Sequence, residues 1–235
     1  MSMERPVLIV EGDACLREML VEQLAVDKEF AVTQAIAVRE AEAWLSAREA
    51  RFDAVILNEH LPDGDGWALL GRLRKAGRKT PVLMLTGAGS QPVRPPDEAC
   101  DTIVKPFRLV ELLNRLRTLL RGFDNSDDAT MGIGRFTLHP AAKCLIETGT
   151  DARIRLTEKE VAILSFLHRA GDRAVTRQVL LNEVWGYNAG VTTHTLETHI
   201  YRLRRKIEPD ASHARLLLTE SGGYRLAPAG RPDNS

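Results

Sequence analysis

The chain has 235 residues, of which 44% are hydrophobic and 27% are charged, and these proportions are ordinary for a globular protein. They exclude a disordered chain, a collagen-like repeat and a disulfide scaffold, and the apolar runs are far shorter than the ~18 residues that a membrane span requires. The start, MSMERPVLIV, lacks the shape of a signal peptide, and Cys15, Cys100 and Cys144 lack metal-binding spacing, so we expect a cytoplasmic protein with reduced thiols and no membrane partner.

The charge is unevenly distributed, although the chain is neutral as a whole. Residues 1–122 carry 17 Lys and Arg against 18 Asp and Glu, residues 123–130 carry three acids and no base, and residues 131–235 carry 15 bases and 11 acids. This pattern predicts two domains with different partners, at 1–122 and 131–228. An acidic linker would join them at 123–130, and a flexible tail would follow at 229–235.

The first domain alternates short apolar runs with helical periodicity. Five runs have the length and composition of buried strands, at 7–10, 30–36, 53–57, 81–86 and 102–104. Strictly alternating β and α units predict an α/β fold, in which a doubly wound parallel sheet of five strands resembles that of flavodoxin. Such sheets place their working site at the carboxyl ends of the strands.

Polar residues follow these runs. Glu11 and Asp13 follow the first run, Asn58 the third and Lys105 the fifth, while Thr86 ends the fourth. We therefore expect these side chains at one edge of the sheet.

Four segments, VLIVEGD, VILN–LPDGDG, PVLMLTGA and VKPF, carry a family resemblance. Through them residues 1–122 resemble the receiver domain of two-component response regulators, which implies a cis bond between Lys105 and Pro106. The resemblance aligns the phospho-accepting aspartate of the family with Asn58, and one member of an acidic pair with Gly12. A carboxamide oxygen is a far poorer nucleophile than a carboxylate, and Mg²⁺ prefers carboxylate oxygens.

We therefore predict an atypical, degenerate receiver that is not phosphorylated on aspartate. It should bind Mg²⁺ weakly or not at all, need no cofactor and have no enzymatic activity. Its vestigial site would comprise Glu11, Gly12, Asp13, Thr86 and Lys105, beside the degenerate acceptor position Asn58.

The residues themselves leave other interpretations open. Glu11 and Asp13 could simply cap the first helix, since acids favour helix N-termini, and Lys105 is expected to pair with Glu11. Glu59 and His60 are expected to be solvated loop residues. A working Mg²⁺-dependent phosphotransfer receiver would instead need Glu59 or Asp13 as its acceptor.

This domain departs from the family pattern at Thr102 and in segment 87–98, and it follows the pattern at the residues of the dimer face. Thr102 stands where the family carries an aromatic residue, and segment 87–98 contains three prolines and two glycines, so we predict a shortened or irregular fourth helix. The family resemblance also implies a dimer face with cross-subunit ion pairs, formed by Asp101, Glu111 and Arg115.

The second domain begins with β-like pieces at 136–139, 143–147 and 153–156. Thr157 and Glu160 have the spacing of a capping box, which predicts a helix start. Two more helices are predicted at 177–185, capped by Thr176, and at 191–207. Segment 216–226 is typical of a hairpin, with its turn at Gly222–Gly223.

The third helix carries the chemistry of this domain. Its apolar stripe falls at i, i+4, i+7 and i+11, on Leu196, Ile200, Leu203 and Ile207. The opposite side shows His194, Thr198, Tyr201, Arg202 and Arg205. Such a face suits a DNA major groove, because Arg can pair bidentately with guanine and the Thr methyl can contact the thymine methyl. The alternative is an amphipathic surface helix with a solvated basic face.

The order of short strands, three helices and a hairpin favours the DNA-binding interpretation over a solvated surface helix. Together with LTEKE, LLNEVWG, HIYRLRRKI and GGYRL, it resembles the winged-helix effector domain of the OmpR/PhoB family across 131–228. The resemblance implies that Thr198 and Arg202 face bases. It places near phosphates or at the groove edge His199, Tyr201, Arg204, Arg205 and Thr219. Glu220 and Ser221 stand where an Arg is frequent, which disfavours a minor-groove contact by the wing.

These patterns predict a sequence-specific DNA-binding transcription regulator of the response-regulator type, independent of aspartate phosphorylation. Its receiver would serve dimerisation or other protein contact, giving a homodimer at least on double-stranded DNA, with RNA polymerase as a further candidate partner. An alternative is an interaction module whose 131–228 domain binds a protein instead of DNA.

Overall fold

The structure, a computed structural model, describes residues 4–26, 28–47, 52–89, 97–186 and 193–227. The chain forms two compact units, one of Glu4–Asp128 and one that holds Ala129 and the residues after it. Among the helices in these ranges, none combines the length and the apolarity that crossing a bilayer demands.

The first unit is built on a five-stranded parallel sheet of order β2-β1-β3-β6-β7. Its strands are β1 (Arg5–Val10), β2 (Phe30–Ala35), β3 (Ala54–Asn58), β6 (Val82–Thr86) and β7 (Cys100–Val104), and a small hairpin is formed by β4 (His60–Leu61) and β5 (Gly64–Asp65). The helices are α1 (Ala14–Val26), α2 (Val38–Ser46), α3 (Gly66–Lys75) and α4 (Leu109–Asp124). This topology confirms the predicted α/β fold class.

The central strands are buried on both sides, as expected for a parallel sheet that is covered by helices. One face packs Leu8, Val55 and Val82 against α2 and α3. The other face packs Ile9, Ile56 and Leu83 against α1 and α4. These continuous apolar runs leave polar side chains only where the strands end.

The LPDGDG turn holds the end of β3 in place. The Asp63 carboxylate accepts hydrogen bonds from the backbone N–H groups of Val38 (2.6 Å) and Arg39 (3.0 Å), so it caps α2 from a distant position in the chain. These bonds lower the pKa of Asp63. A Cβ at Gly66 would lie 2.2 Å from the Asn58 carbonyl oxygen, and this close approach requires glycine.

Three predictions for this unit can be compared with the structure. The peptide bond between Lys105 and Pro106 is cis, as predicted. The last helix continues to Asp124, two residues into the segment 123–130 that is predicted to be a linker. The predicted irregular helix falls largely on 90–96, which lie outside the described residues.

The second unit begins with an antiparallel sheet of order β11-β10-β9-β8. Its strands are β8 (Met131–Ile133), β9 (Phe136–His139), β10 (Cys144–Glu147) and β11 (Arg153–Arg155). The helices are α5 (Glu158–Ala170), α6 (Arg177–Trp185) and α7 (Thr193–Ile207), and a second sheet of order β12-β14-β13 contains β12 (Val175–Thr176), β13 (Leu217–Glu220) and β14 (Gly223–Leu226). This is the predicted winged-helix arrangement.

Local sequence signals explain how these elements begin and end. The capping box is present, since Thr157 Oγ1 accepts from the Glu160 N–H (3.3 Å) and the Glu160 carboxylate accepts from the Thr157 N–H (2.7 Å). The hairpin turn is Ser221–Gly222 rather than the predicted Gly222–Gly223. Gly222 has φ +86°, whereas Gly223 belongs to β14, where a Cβ would lie 2.0 Å from the Val175 carbonyl oxygen. The predicted first residues of the third helix and the tail at 229–235 lie outside the described residues.

Candidate functional site

The carboxyl ends of β1, β3, β6 and β7 form one edge of the receiver sheet. The parallel register pairs Val10 with Leu57 and Asn58 with Leu85, so the residues that follow these strands lie side by side. We call this edge the receiver cleft and define it by Glu11, Asn58, Thr86, Gly87 and Lys105.

Glu11 is the centre of the receiver cleft and is almost completely buried, with 1% exposure. Its Oε1 accepts hydrogen bonds from Asn58 Nδ2 (2.7 Å) and from the backbone N–H of Asp13 (3.0 Å). Its Oε2 accepts from Lys105 Nζ at 2.8 Å, which is the predicted ion pair. Both carboxylate oxygens are therefore engaged by donors from the protein itself.

Asp13 caps α1 instead of facing the cleft. Its Oδ1 accepts from the Leu16 N–H at 2.9 Å, and the residue is exposed. At Gly12, a Cβ would lie 2.9 Å from Pro62 Cδ, so a side chain there would require the proline ring to move. Neither Gly12 nor Asp13 therefore adds a second carboxylate beside that of Glu11.

Glu59 differs from its expected role as a solvated loop residue. It is buried, with 5% exposure, and its carboxylate accepts a hydrogen bond from the backbone N–H of Gly87. His60 is exposed as expected, with its Nδ1 3.4 Å from the Glu59 carboxylate. The prediction for Glu59 was wrong because the turn after β3 brings this side chain under the loop that follows β6.

The remaining polar groups of the cleft do not present a metal-binding set. The Thr86 hydroxyl is buried and donates to the Ile103 carbonyl oxygen at 3.3 Å. No group of three or more His, Cys, Asp or Glu side chains suited to a metal ion is found in the described ranges. Because the cation of Lys105 and the amide of Asn58 already occupy Glu11, these residues do not fit Mg²⁺, which needs free oxygen ligands.

The predicted dimer-face residues form a network within one chain. Arg115 lies 3.2 Å from Asp101 and 3.1 Å from Glu111, and all three side chains are more than a third exposed. They line a shallow groove of α4 together with Val110, which is 68% exposed. Hydrogen bonds to Glu111 and Asp101 raise the pKa of Arg115.

Helix α7 separates an apolar side from a polar side as its sequence predicts. Leu196, Ile200, Leu203 and Ile207 are buried in the core of the second unit. On the other side, His194, Arg202 and Arg205 are exposed, and Tyr201 is 58% exposed. Thr198 is half-buried, and its hydroxyl donates to the His194 carbonyl oxygen at 2.9 Å.

The guanidinium groups of Arg202 and Arg205 on this exposed side differ from that of Arg204 in their contacts. Within the part of the chain that the structure describes, Arg202 and Arg205 form no ion pair. In contrast, Arg204 is half-buried and donates to the Leu217 carbonyl oxygen (2.8 and 3.0 Å) and to the Thr219 hydroxyl (2.7 Å). Arg204 therefore ties α7 to the hairpin in this structure, and Thr219 is its exposed partner.

One aromatic contact to α7 was missed by sequence analysis. The ring centroid of His199 lies 5.3 Å from that of Trp185. In a separate contact, Lys159 Nζ lies 5.3 Å from the centroid of the Trp185 ring. The Nδ1 atom of His199 is buried without a hydrogen-bond partner among the described residues. Burial, followed by repulsion from Arg202, lowers the pKa of His199. The VWG segment was the only sequence signal for this cluster.

The hairpin carries a neutralised charge at its tip. Arg225 Nε donates to the Glu220 carboxylate at 2.7 Å. Because this pair cancels the charge of Arg225, Arg225 offers no unpaired cation for a minor-groove contact.

Comparisons with known proteins agree with this two-part architecture. The family model "Response regulator receiver domain" matches residues 7–117, and the model "Transcriptional regulatory protein, C terminal" matches residues 151–226. Transcriptional regulatory protein BasR of Escherichia coli (strain K12) is 34% identical over 224 residues, which cover 94% of this chain and 96% of the relative. Response regulator MprA of Mycobacterium avium (strain 104) is 35% identical over 227 residues, covering 94% and 97%. The solved structure of response regulator DrrB, a Thermotoga maritima OmpR/PhoB homolog, matches with 25% identity, a TM-score of 0.42 and coverage of 97% and 100%.

Proposed function

We propose that this chain, which belongs to the OmpR/PhoB family of DNA-binding transcriptional response regulators, regulates transcription without phosphorylation of its receiver. The observation that carries this proposal is the hydrogen bond from Asn58 Nδ2 to the buried Glu11 carboxylate, at 2.7 Å. The residue at the acceptor position is thus a donor within the protein and has no nucleophilic carboxylate to offer.

The chemistry of phosphoryl transfer supports this proposal in two ways. An amide oxygen attacks phosphorus far less readily than a carboxylate does. The developing charge on a transferred phosphoryl group also needs a cation, whereas the Lys105 ammonium is paired with Glu11 at 2.8 Å. The alternative acceptors are disfavoured as well, because Asp13 caps α1 and Glu59 is bound to the Gly87 amide.

The test is a DNA titration of the full chain with and without a small acyl phosphate and Mg²⁺. We expect the same affinity in both conditions and no mass increase in the intact protein. A tenfold tightening, about 1.4 kcal/mol, accompanied by a phosphoryl adduct, would contradict the proposal.

For the DNA-binding unit, we propose that α7 enters the major groove with Thr198 and Arg202 towards bases. Arg205, Tyr201 and His199 would then lie near phosphates or at the groove edge, and His194 lies on the exposed side of the same helix. The exposed, unpaired guanidinium groups support this assignment, because their charge can neutralise phosphate without first breaking an ion pair.

For Arg204 and Thr219, the observed contacts support a different role. Their mutual hydrogen bond and the bond from Arg204 to the Leu217 carbonyl oxygen would orient the hairpin against α7. A direct phosphate contact by Arg204 would require these bonds to break.

We also propose that the receiver self-associates through the α4 face. The exposed Val110 offers apolar surface, and Asp101, Glu111 and Arg115 offer charges that can exchange partners between two copies. Exposed pairs contribute only ~0–1 kcal/mol each, so the homodimer should be weak until DNA joins its two copies.

Charge reversal tests this interface. Arg115→Glu should weaken self-association in sedimentation experiments and reduce cooperativity on DNA. Arg72→Glu is the matched control, because Arg72 forms an equally exposed pair with Glu42 at 2.8 Å on another helix of the same unit. Equal effects of the two variants would argue against the α4 face.

A further inference from the structure

Glu59 is a buried acid of the receiver to which neither the proposed DNA contacts nor the proposed self-association assigns a role. Its side chain is 5% exposed although it follows directly after β3, at the edge where the sheet meets solvent. Its backbone is held on both sides, because its N–H donates to the Leu85 carbonyl oxygen (3.0 Å) and its carbonyl oxygen accepts from the Gly66 N–H (2.8 Å). Two neighbouring segments therefore fix the backbone from which this carboxylate extends.

The carboxylate takes a donor that an external anion would need. Gly87 is the first residue after β6, and its backbone N–H donates to Glu59 Oε1. In open α/β sheets, ligands bind outside the carboxyl ends of the strands, and backbone N–H groups in such turns are anion donors. Here that donor is already satisfied by a side chain of the same unit.

We propose that Glu59 is a resident anion of the receiver cleft, which excludes oxyanions of the phosphate class and ties the loop after β6 to the end of β3. A receiver that excludes phosphate can act only if it works without phosphorylation, so this proposal rests on the proposed function. It adds a named residue and a ligand class to that function.

The charges around the cleft agree with this assignment. Glu11 and Glu59 contribute two negative charges, while Lys105 is paired with Glu11 at 2.8 Å and Arg17 donates to the Glu11 and Gly12 carbonyl oxygens (2.9 and 3.3 Å). An incoming dianion at the Gly87 amide would meet the Glu59 carboxylate at close range and would have to displace it from that amide. Like charges repel more strongly in a partly buried site than in water, because the effective dielectric constant is lower there.

The experiment follows the Gly87 amide by NMR in the ¹⁵N-labelled full chain during a titration with inorganic phosphate. Glu59→Ala removes the carboxylate, and Glu59→Gln keeps its shape but not its charge. Glu42→Gln is the matched control, an acid of the same unit whose side chain is 43% exposed and paired with Arg72.

In wild type and in Glu42→Gln, we expect a Gly87 resonance that phosphate does not move and an amide that is protected from hydrogen exchange. In Glu59→Ala, the amide should exchange about tenfold faster, which corresponds to about 1.4 kcal/mol, and its resonance should shift saturably with phosphate. Unchanged exchange in Glu59→Ala, or an equal phosphate response in wild type, would overturn the assignment.

Glu59→Gln decides the question if Glu59→Ala does not fold. It should retain most of the protection of Gly87 and should bind phosphate more tightly than wild type does. A phosphate response identical to that of wild type would refute the electrostatic part of the assignment. Failure of the proposed function would appear separately, as tighter DNA binding by wild type after treatment with the acyl phosphate.

Discussion

Restoring the missing carboxylate at Asn58 should destabilise the receiver. In Asn58→Asp, an oxygen replaces the Nδ2 atom that lies 2.7 Å from Glu11 Oε1. Two unit charges at this separation repel by about 6 kcal/mol at an effective dielectric constant of about 20. Glu11 is buried, so solvent cannot screen the pair effectively.

The pair would avoid most of this repulsion by keeping one proton. Holding a proton at pH 7, about three pH units above the ordinary carboxyl pKa, costs about 4 kcal/mol. This cost is the upper limit of the destabilisation, and the positive charge of Lys105 offsets part of it. We therefore expect Asn58→Asp to lower the free energy of unfolding by about 2–4 kcal/mol at pH 7. Because the folded-state pKa of the pair is raised, the loss should shrink as the pH falls towards the ordinary carboxyl range.

The assay is urea unfolding of the full chain in a Trp185→Phe background, so that fluorescence reports Trp44 and Trp67 of the receiver. The control is Glu11→Gln with Asn58→Asp, which recreates one carboxylate and one amide. We expect this double variant to regain at least about 1.5 kcal/mol over Asn58→Asp alone. An Asn58→Asp protein with the wild-type midpoint at both neutral and mildly acidic pH would refute the coupling between these positions.

Three other expectations concern both units. Arg202→Ala should cost about 1–3 kcal/mol of DNA affinity and relax one operator position, whereas Arg205→Ala should weaken all sequences alike and reduce the salt slope by roughly one unit; identical salt slopes in an anisotropy titration would contradict this difference. Gly12→Asp should lower the free energy of unfolding by about 1–3 kcal/mol, because its Cβ would lie 2.9 Å from Pro62 Cδ. Adding Pro62→Ala should recover part of that loss, and an unchanged melting temperature in Gly12→Asp alone would rule out the clash. Burial lowers the pKa of His199, so the unfolded chain binds this proton more tightly, and stability should fall as the pH drops through the usual histidine range; a melting-temperature profile for His199→Gln that parallels wild type would contradict this linkage.

The DNA-binding residues show how far a helical period can assign roles. The stripe of Leu196, Ile200, Leu203 and Ile207 predicts which side of α7 is buried, and the structure confirms it. However, Arg204 and Arg205 are neighbours of identical chemistry. The period puts Arg205 on the polar side with Arg204 flanking it, but only the position of β13 shows that Arg204 is bound within the protein, because the Leu217 carbonyl oxygen and the Thr219 hydroxyl lie within its reach.

The sequence by itself determined the α/β architecture, the strand-end positions of the cleft residues and the capping box of α5, since apolar periodicity and local hydrogen bonds act over a few residues. Tertiary structure alone decided that Asn58 donates to Glu11, that Asp63 caps a helix 25 residues away in the chain, and that Glu59 is buried beneath Gly87. Each of these contacts joins segments that the chain separates and the sheet brings together. Whether a polar side chain is solvated, capped or buried depends on that packing, which no local pattern records.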